Sequence, residues 1–426
     1  MKILVLGAGR MGLGAAYDLA HNSEGVESVT VADVDETRAR AVAETLKSER
    51  VRPAHVDVED HARTIELMRG HDAAISCVTY FHNLSLARAA IEARTNFCDL
   101  GGNNTIVDAE LALDEQARAA RINIIPDCGL APGMVSVLAA HGAQRFRRLD
   151  ELHIRVGGLP QTPRPPLDYQ IVFSVEGLIN EYVERARVIR GGHIVEVDSM
   201  TELEALDFPA PFGRMEAFQT SGGTSTLPET FAGRIRELDY KTIRYPGHCE
   251  RFRLLIDLGL ASSDPVELDG ARVAPRRLLS VMLNRHLPAD EPDVVLVRLE
   301  FVGQLADTAR ASEQATDNPT ASDSGQATGN SRQATGNSRQ ATDNQTTDDS
   351  EQSTRLRYDI IDRFDERTGL SAMQRMTAFP ASIIAQMMAQ GLTTEKGALP
   401  QEHSVPPARF VEELSARNIR IDESTL

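Results

Sequence analysis

Cysteine is scarce in this chain, lysine is equally scarce, and no long apolar run is present. The four cysteines, Cys77, Cys98, Cys128 and Cys249, lie far apart with no CxxC spacing, which suggests neither a zinc knuckle nor a redox pair. Reduced thiols and a cytoplasmic location are the expectation, with no metal site. No apolar stretch approaches the ~20 residues needed to cross a bilayer. The opening MKILVLGAG is interrupted by Arg10 and Asp18, and no small-residue cleavage pattern follows, so it reads as a strand and not a signal peptide. Basic residues are outnumbered, 45 against 62 acidic, and the net charge of −17 repels phosphate backbones and anionic lipid. Nucleic acid and membrane are therefore poor partners.

What is present is enough chain for more than one core. At 426 residues and 41% hydrophobic composition, a multi-domain globular protein is expected, and a peptide hormone or a disulfide-stapled scaffold is excluded. From Lys2 to Pro126, short β-rich runs (KILVLG, SVTVAD, VRPAHVDV, DAAISCV, NFCDLG, INIIPD) alternate with Ala- and Arg-rich helical stretches. That rhythm predicts a doubly wound parallel sheet of the Rossmann type over residues 1–128. Beyond it, segments such as ELHIRVGG, HIVEV and MEAFQTSGG predict a second, α+β domain with a mixed sheet over 129–390, and 391–426 is expected to pack back on the first domain. Residues 308–355, with QATGNSR repeated in tandem and almost no apolar side chains, predict a disordered insertion in place of a hairpin turn between VVLVRLEFVG and RLRYDIIDRF.

The strongest local signal is GAGRMG, in which Gly7, Gly9 and Gly12 follow a predicted strand and precede a helix. Such glycines permit a tight turn, a close backbone approach to a pyrophosphate and close helix-to-strand packing. Arg10 and Met11 inside the motif and Val78 at the end of the fourth strand complete the expected cofactor contacts. Asp33 closes the second predicted strand, where an acid grips a ribose 2′-hydroxyl and repels a 2′-phosphate, so NAD is favoured; Arg38 and Arg40 leave NADP open.

Ligands bind outside the carboxyl ends of such sheets, and Asp99 and Asp127 both fall there. Either can hold a substrate ammonium, and either can simply cap a helix or a loop. The third feature is the segment from Tyr240 to His248. Only Lys2, Lys47, Lys241 and Lys396 are lysine, so Lys241 beside a Pro-Gly turn and His248 stands out. Arg244 offers a planar fork for a carboxylate, and Lys241 and His248 are candidate proton-transfer groups. Lys241 and Arg244 are three positions apart, so both reach one pocket only if the strand twists or bulges.

With these blocks in hand (GAGRMG, CDLGG, PDCGLAPG, GGLPQTPRPPLDYQIVFSVEGLINEY, MEAFQTSGGTSTLPET, YKTIRYPGH and GLSAMQRMTAFPASIIAQ), the chain resembles the saccharopine dehydrogenase-like family, and within it the lysine 6-dehydrogenase branch. The resemblance implies oxidation at a carbon bearing nitrogen, with a small amino acid, L-lysine or a saccharopine-like amine, as substrate. In the lysine reading, Lys241 or His248 removes a proton from the side-chain ammonium, Arg244 anchors the α-carboxylate, and Asp99 or Asp127 holds the α-ammonium. Hydride loss then gives an imine, which hydrolyses to the 6-semialdehyde with release of ammonia and cyclises to piperideine-6-carboxylate. Two rival readings are a saccharopine dehydrogenase or reductase working on a secondary amine, and a catalytically silent NAD-binding regulatory protein. A homodimer is the default expectation for a two-domain dehydrogenase.

Overall fold

Strand alternation and two core faces organise the first lobe. The computed structural model describes residues 1–306, 353–393 and 395–426. Strands β1 (Lys2–Leu6), β2 (Ser28–Asp33), β3 (Val51–His55), β4 (Ala73–Ser76), β5 (Asn96–Asp99) and β6 (Asn123–Ile125) pair in parallel, in the order β6-β5-β4-β1-β2-β3. Successive side chains point to opposite faces. Ile3, Val5, Ile75, Cys98 and Ile125 therefore enter one core, and Leu4, Leu6, Ala74, Phe97 and Ile124 enter another. The order reverses between β1 and β4, the place where a doubly wound sheet opens a crevice. The last of the expected strands, INIIPD, stops at Ile125, and Asp127 turns into the left-handed region at φ 59.

The second lobe is a mixed sheet. Its strands are β7 (Phe146–Pro160), β8 (Ala186–Arg190), β9 (His193–Val197), β10 (Glu204–Phe208), β11 (Gly213–Gln219) and β12 (Glu237–Arg244); a separate small hairpin, β13 (Val266–Leu268) and β14 (Ala271–Val273), precedes β15 (Asp293–Leu305) and β16 (Thr354–Arg363). β12 runs parallel to β7, whereas β10–β11, β11–β12, β7–β15 and β15–β16 are antiparallel. The hairpin expected around the insertion is the β15–β16 pair, in register from Val294–Arg363 to Gly303–Thr354. The expected disordered insertion lies outside the described residues as far as position 352, and its last two positions, Thr354 and Arg355, already belong to β16.

Two segments tie the lobes together. Ser371 and Gln374 form a capping box at the start of the helix Ala372–Gln390, whose Met376, Phe379 and Ile383 are buried. That helix, expected in the second domain, packs against the helix Arg10–His21 and against β4 and β5, as well as against β15. The tail then contributes β17 (Gly397–Ala398), parallel to β6 at the edge of the first sheet, and β18 (Asp422–Thr425), antiparallel to β16 in the second. Among the described residues no helix is long and apolar enough to cross a membrane.

Candidate active site

The glycine loop has the shape a dinucleotide needs. Gly7 has φ 102, and a Cβ there would come within 2.8 Å of the Cys77 carbonyl oxygen and 3.1 Å of Val78. A Cβ on Gly12 would overlap the Gly7 carbonyl, while one on Gly9 would meet nothing within 4 Å. Gly9 caps the helix Arg10–His21 with no side-chain hydrogen bond, so the first-turn N–H groups face an open surface. Asp33 ends β2, its Oδ2 accepting from the Ala8 N–H at 2.7 Å and its Oδ1 from the Asp35 N–H at 2.9 Å. Each oxygen keeps a lone pair for a ribose hydroxyl. Val78 abuts the turn, and Met11 packs on the core. Arg10 departs from expectation: its guanidinium reaches away from the motif to the Ala289 carbonyl at 3.0 Å and to Asp290, so it clasps the second lobe.

Strand parity decides the fate of the Tyr240–His248 segment. β12 keeps register with β7 from Glu237–Glu151 to Thr242–Val156 without a bulge, so Lys241 and Arg244 lie on opposite faces. Lys241 is buried and donates to the Glu202 carbonyl at 2.7 Å and to Glu204 at 2.9 Å. It belongs to a network in which Arg155 bonds Glu204 and Asp239, and His153 donates to Asp239 at 2.7 Å. Its expected role as a base beside Arg244 is therefore corrected: the strand does not bulge, and the ammonium is already neutralised on the other face.

On the Arg244 face the polar groups form a chain. Arg244 Nε donates to the Tyr182 hydroxyl at 2.8 Å, that hydroxyl lies 3.1 Å from His248 Nε2, and His248 Nδ1 donates to the Leu167 carbonyl at 2.9 Å. Burial first, and then the charge of Arg244, push His248 down to about 3. With both nitrogens engaged, His248 is a neutral orienting group, and the expectation that it removes a substrate proton is corrected as well. The Arg244 guanidinium is 4.8 Å from the Tyr169 ring centroid, its Nη1 donates to the Ile243 carbonyl, and it makes no ion pair among the described residues. Gly158, at the end of β7, lies under Met373 and Val172, and the neighbouring Gln374 donates to the Arg10 carbonyl at 3.0 Å. The Arg244 face is thus joined to the glycine loop through one turn of the helix Ala372–Gln390.

The first lobe presents acids at the same junction. Asp99 and Asp127 are both buried; Asp99 Oδ1 accepts from the Gly101 N–H at 2.6 Å and the Asp127 N–H at 3.2 Å, and Asp127 Oδ2 accepts from Ser225 of the second lobe. Glu110 lies beside Asp99, and neither of its oxygens finds a donor. Two carboxyl groups bond each other only when one carries a proton. Burial, then Asp99 and Asp127, push Glu110 up to about 10; burial pushes Asp99 to about 6, and burial with the Asp99 charge pushes Asp127 to about 7.

Residues 3–125 match the saccharopine dehydrogenase NADP binding domain, and residues 129–419 match the saccharopine dehydrogenase C-terminal domain. The chain belongs to the saccharopine dehydrogenase family. Among its relatives, the carboxynorspermidine synthase of Vibrio cholerae is 24% identical over 310 residues, 66% of this chain and 72% of that protein. The saccharopine dehydrogenase [NADP(+), L-glutamate-forming] of Saccharomyces cerevisiae is 23% identical over 288 residues, 64% of this chain and 61% of that protein. The structure of apo saccharopine dehydrogenase (L-Glu forming) from S. cerevisiae superposes with a TM-score of 0.74 at 18% identity, covering 100% of this chain and 99% of that one. Homospermidine synthase from Legionella pneumophila, in complex with NAD, gives 0.63 at 10% identity, covering 100% and 91%. These two likenesses establish a shared fold. With its dinucleotide-binding lobe, this member of the family is an NAD(P)-dependent oxidoreductase of amines.

Sequence reasoning overlooked Glu181 and Glu110. Glu181 stands on the helix Val175–Val183 beside Tyr182, the residue that bonds Arg244, and its backbone carbonyl accepts from the Ser221 N–H at 3.0 Å. The signal was an acid at helical spacing from buried Leu178. Glu110 carried a similar one, following buried Val107 at the same spacing.

Proposed function

We propose that this protein oxidises the side-chain amine of L-lysine with NAD(P), giving the 6-semialdehyde and ammonia. The observation that carries the reading is Arg244: a buried guanidinium with no ion-pair partner among the described residues, on a face of the sheet where Met373 lies over Gly158 and the adjacent Gln374 bonds the glycine loop. A buried cation left unpaired is costly unless a ligand supplies the anion. Arg244 takes the substrate α-carboxylate, and Tyr182 and His248 fix its orientation. Gly7, Gly9, Gly12 and Asp33 hold the dinucleotide, which when bound supplies a hydride acceptor. Asp127, held at about 7 by burial and Asp99, takes the proton of the reacting ammonium at the junction of the lobes.

The second reading is a secondary amine of the saccharopine or carboxynorspermidine type, and the names of the relatives favour it. A saccharopine-like substrate brings additional carboxylates, yet the arginines available for them are engaged elsewhere or exposed. Arg155 is bonded to Glu204 and Asp239 on the opposite face, Arg164 pairs with Glu291 at the surface, and Arg214 and Arg234 are exposed. That distribution supports a substrate with one carboxylate. Absorbance of NADH or NADPH formed with L-lysine, saccharopine and carboxynorspermidine, together with an ammonia assay, separates the two. Ammonia released with lysine supports the first reading; turnover only with a secondary amine, without ammonia, replaces it.

A further inference from the structure

Glu181 is the polar group that the mechanism leaves unused on the Arg244 face. Three separate contacts place it there. Its neighbour Tyr182 bonds Arg244; its own carbonyl accepts from Ser221; and the adjoining Thr220 hydroxyl bonds Thr242, which alternates onto the same face of β12 as Tyr240 and Arg244. Its carboxylate interacts electrostatically with Arg244, Tyr169 and Tyr240. It nevertheless makes no ion pair with Arg244, and it accepts no hydrogen bond from any described side chain or N–H. Among the described residues Arg244 is thus left without an anion and Glu181 without a cation, an arrangement that a zwitterion completes.

We propose that Glu181 and Arg244 together recognise the zwitterionic head of an α-amino acid, Arg244 binding the carboxylate and Glu181 the α-ammonium. The inference rests on the amine-oxidising reading only for its choice of lysine as substrate; the head-group site stands apart from the chemistry at the far end of the molecule. It moves the α-ammonium contact from Asp99 or Asp127 to Glu181. Asp99 and Asp127 are buried among carboxyl groups, where Asp99 Oδ1 accepts from the Gly101 and Asp127 N–H groups, Asp127 Oδ2 accepts from Ser225, and the second oxygen of each meets no donor among the described residues; Glu181 is only partly buried and so can be reached by a ligand. In the free protein, burial raises Glu181 to about 7 against the opposing charge of Arg244. A cationic ammonium beside it favours the ionised form.

The test compares ligands that differ in one group, on the wild-type full chain and on Glu181→Gln. L-Norleucine carries the whole head group and no side-chain amine; 6-aminohexanoate carries the carboxylate and the distal amine but no α-ammonium. Binding is read by calorimetry in the presence of NADH, and NAD(P)H formation is read with L-lysine and 6-aminohexanoate. In the wild type, L-norleucine is expected to bind at least ~30-fold more tightly than hexanoate, and Glu181→Gln to remove most of that difference while leaving hexanoate binding unchanged. For turnover, the variant is expected to raise KM for lysine with little change in kcat, and to leave 6-aminohexanoate kinetics as they were. Equal discrimination by wild type and variant overturns the proposal even if lysine is oxidised. Discrimination lost in the variant sustains it even if lysine is not a substrate, in which case only the lysine reading falls.

Discussion

The two faces of β12 both carry charged groups and use them in opposite ways. On the face of Lys241, each charge has its counter-charge within reach: His153 and Arg155 on Asp239, Arg155 and Lys241 on Glu204, Arg190 on Glu202. His153 and Arg155 outweigh burial and hold the Asp239 carboxyl well below the usual carboxylate range. On the face of Arg244, the cation rests on tyrosine and backbone oxygens; Glu216, opposite it in register on β11, is bonded to the Gly247 and Cys249 N–H groups, and Glu181 makes no ion pair with it. A saturated network maintains a fold, whereas an incomplete one is arranged for something that arrives later. The contrast is sharpest because both faces belong to one strand.

Replacing Arg244 should produce the largest effect. Arg244→Met removes the carboxylate anchor and is expected to lower kcat/KM for the amino-acid substrate about 10³-fold, with the melting temperature little changed. Steady-state kinetics with saturating dinucleotide and a thermal melt check both halves. Activity within a few-fold of wild type removes Arg244 from the site and erases the distinction between the faces.

The reverse pattern is expected across the strand. Asp239→Asn strips the charge that holds His153 and Arg155 in place, leaves a buried cation under-paired and should cost about 3 kcal/mol of stability in urea unfolding. The kinetics of the folded protein should be unaltered. Lys241→Met, combined with Glu204→Gln so that no charge is stranded, should leave kcat within about threefold of wild type. A loss of turnover without loss of stability would return Lys241 to the chemistry.

Much of this arrangement was legible in the residues. The βα rhythm gave the parallel sheet, and the glycine spacing gave the loop. The three-residue step from Lys241 to Arg244 already contained the parity that separates them, since only a bulge would have overridden it and the register of β12 with β7 shows none. What was hidden depended on distant pairings. β17 is only Gly397–Ala398, too short to carry an alternation, and it exists because β6 offers an open edge. Glu181 gains its meaning from Arg244, which a turn-rich stretch of chain brings beside it, and local periodicity reports only that an acid lies on an apolar helix face. Glu110 is similar: burial raises its pKa first, and then Asp99 and Asp127, residues on other elements.

The acid cluster should make stability fall with rising pH, opposite to the effect of Asp239. A group whose folded pKa is raised contributes stability that is complete below its unfolded pKa and lost as pH climbs through its folded one. For Asp99 and Asp127 that loss runs from the ordinary value of 3.8 to about 6 and about 7, and for Glu110 from 4.5 to about 10. The melting temperature should therefore drop between pH 6 and pH 9, by values read directly in a buffer series. Glu110→Gln keeps the shape without the ionisation, and its melting curve should be flatter over that range. Parallel slopes for the two proteins would mean that Glu110 is not the group being titrated.

A smaller effect than at Arg244 is expected at Asp33, where one side chain combines both behaviours. Its carboxylate is partly saturated, since Ala8 and Asp35 N–H groups each hold one oxygen and so fix the glycine loop. It is also partly open, since neither oxygen has used its second lone pair on a described residue. Asp33→Asn retains an acceptor for the loop and discards the charge that opposes a 2′-phosphate. Arg38 and Arg40 close by are held by Asp35 and Glu36, and with Asp33 neutral their field meets less opposition. The ratio of kcat/KM for NADP to that for NAD should rise about tenfold, a shift of the size expected when one exposed repulsive charge is removed. If the ratio stays put while the affinity for both dinucleotides falls together, Asp33 is purely a clamp for the loop, and cofactor preference resides in the basic residues that follow it.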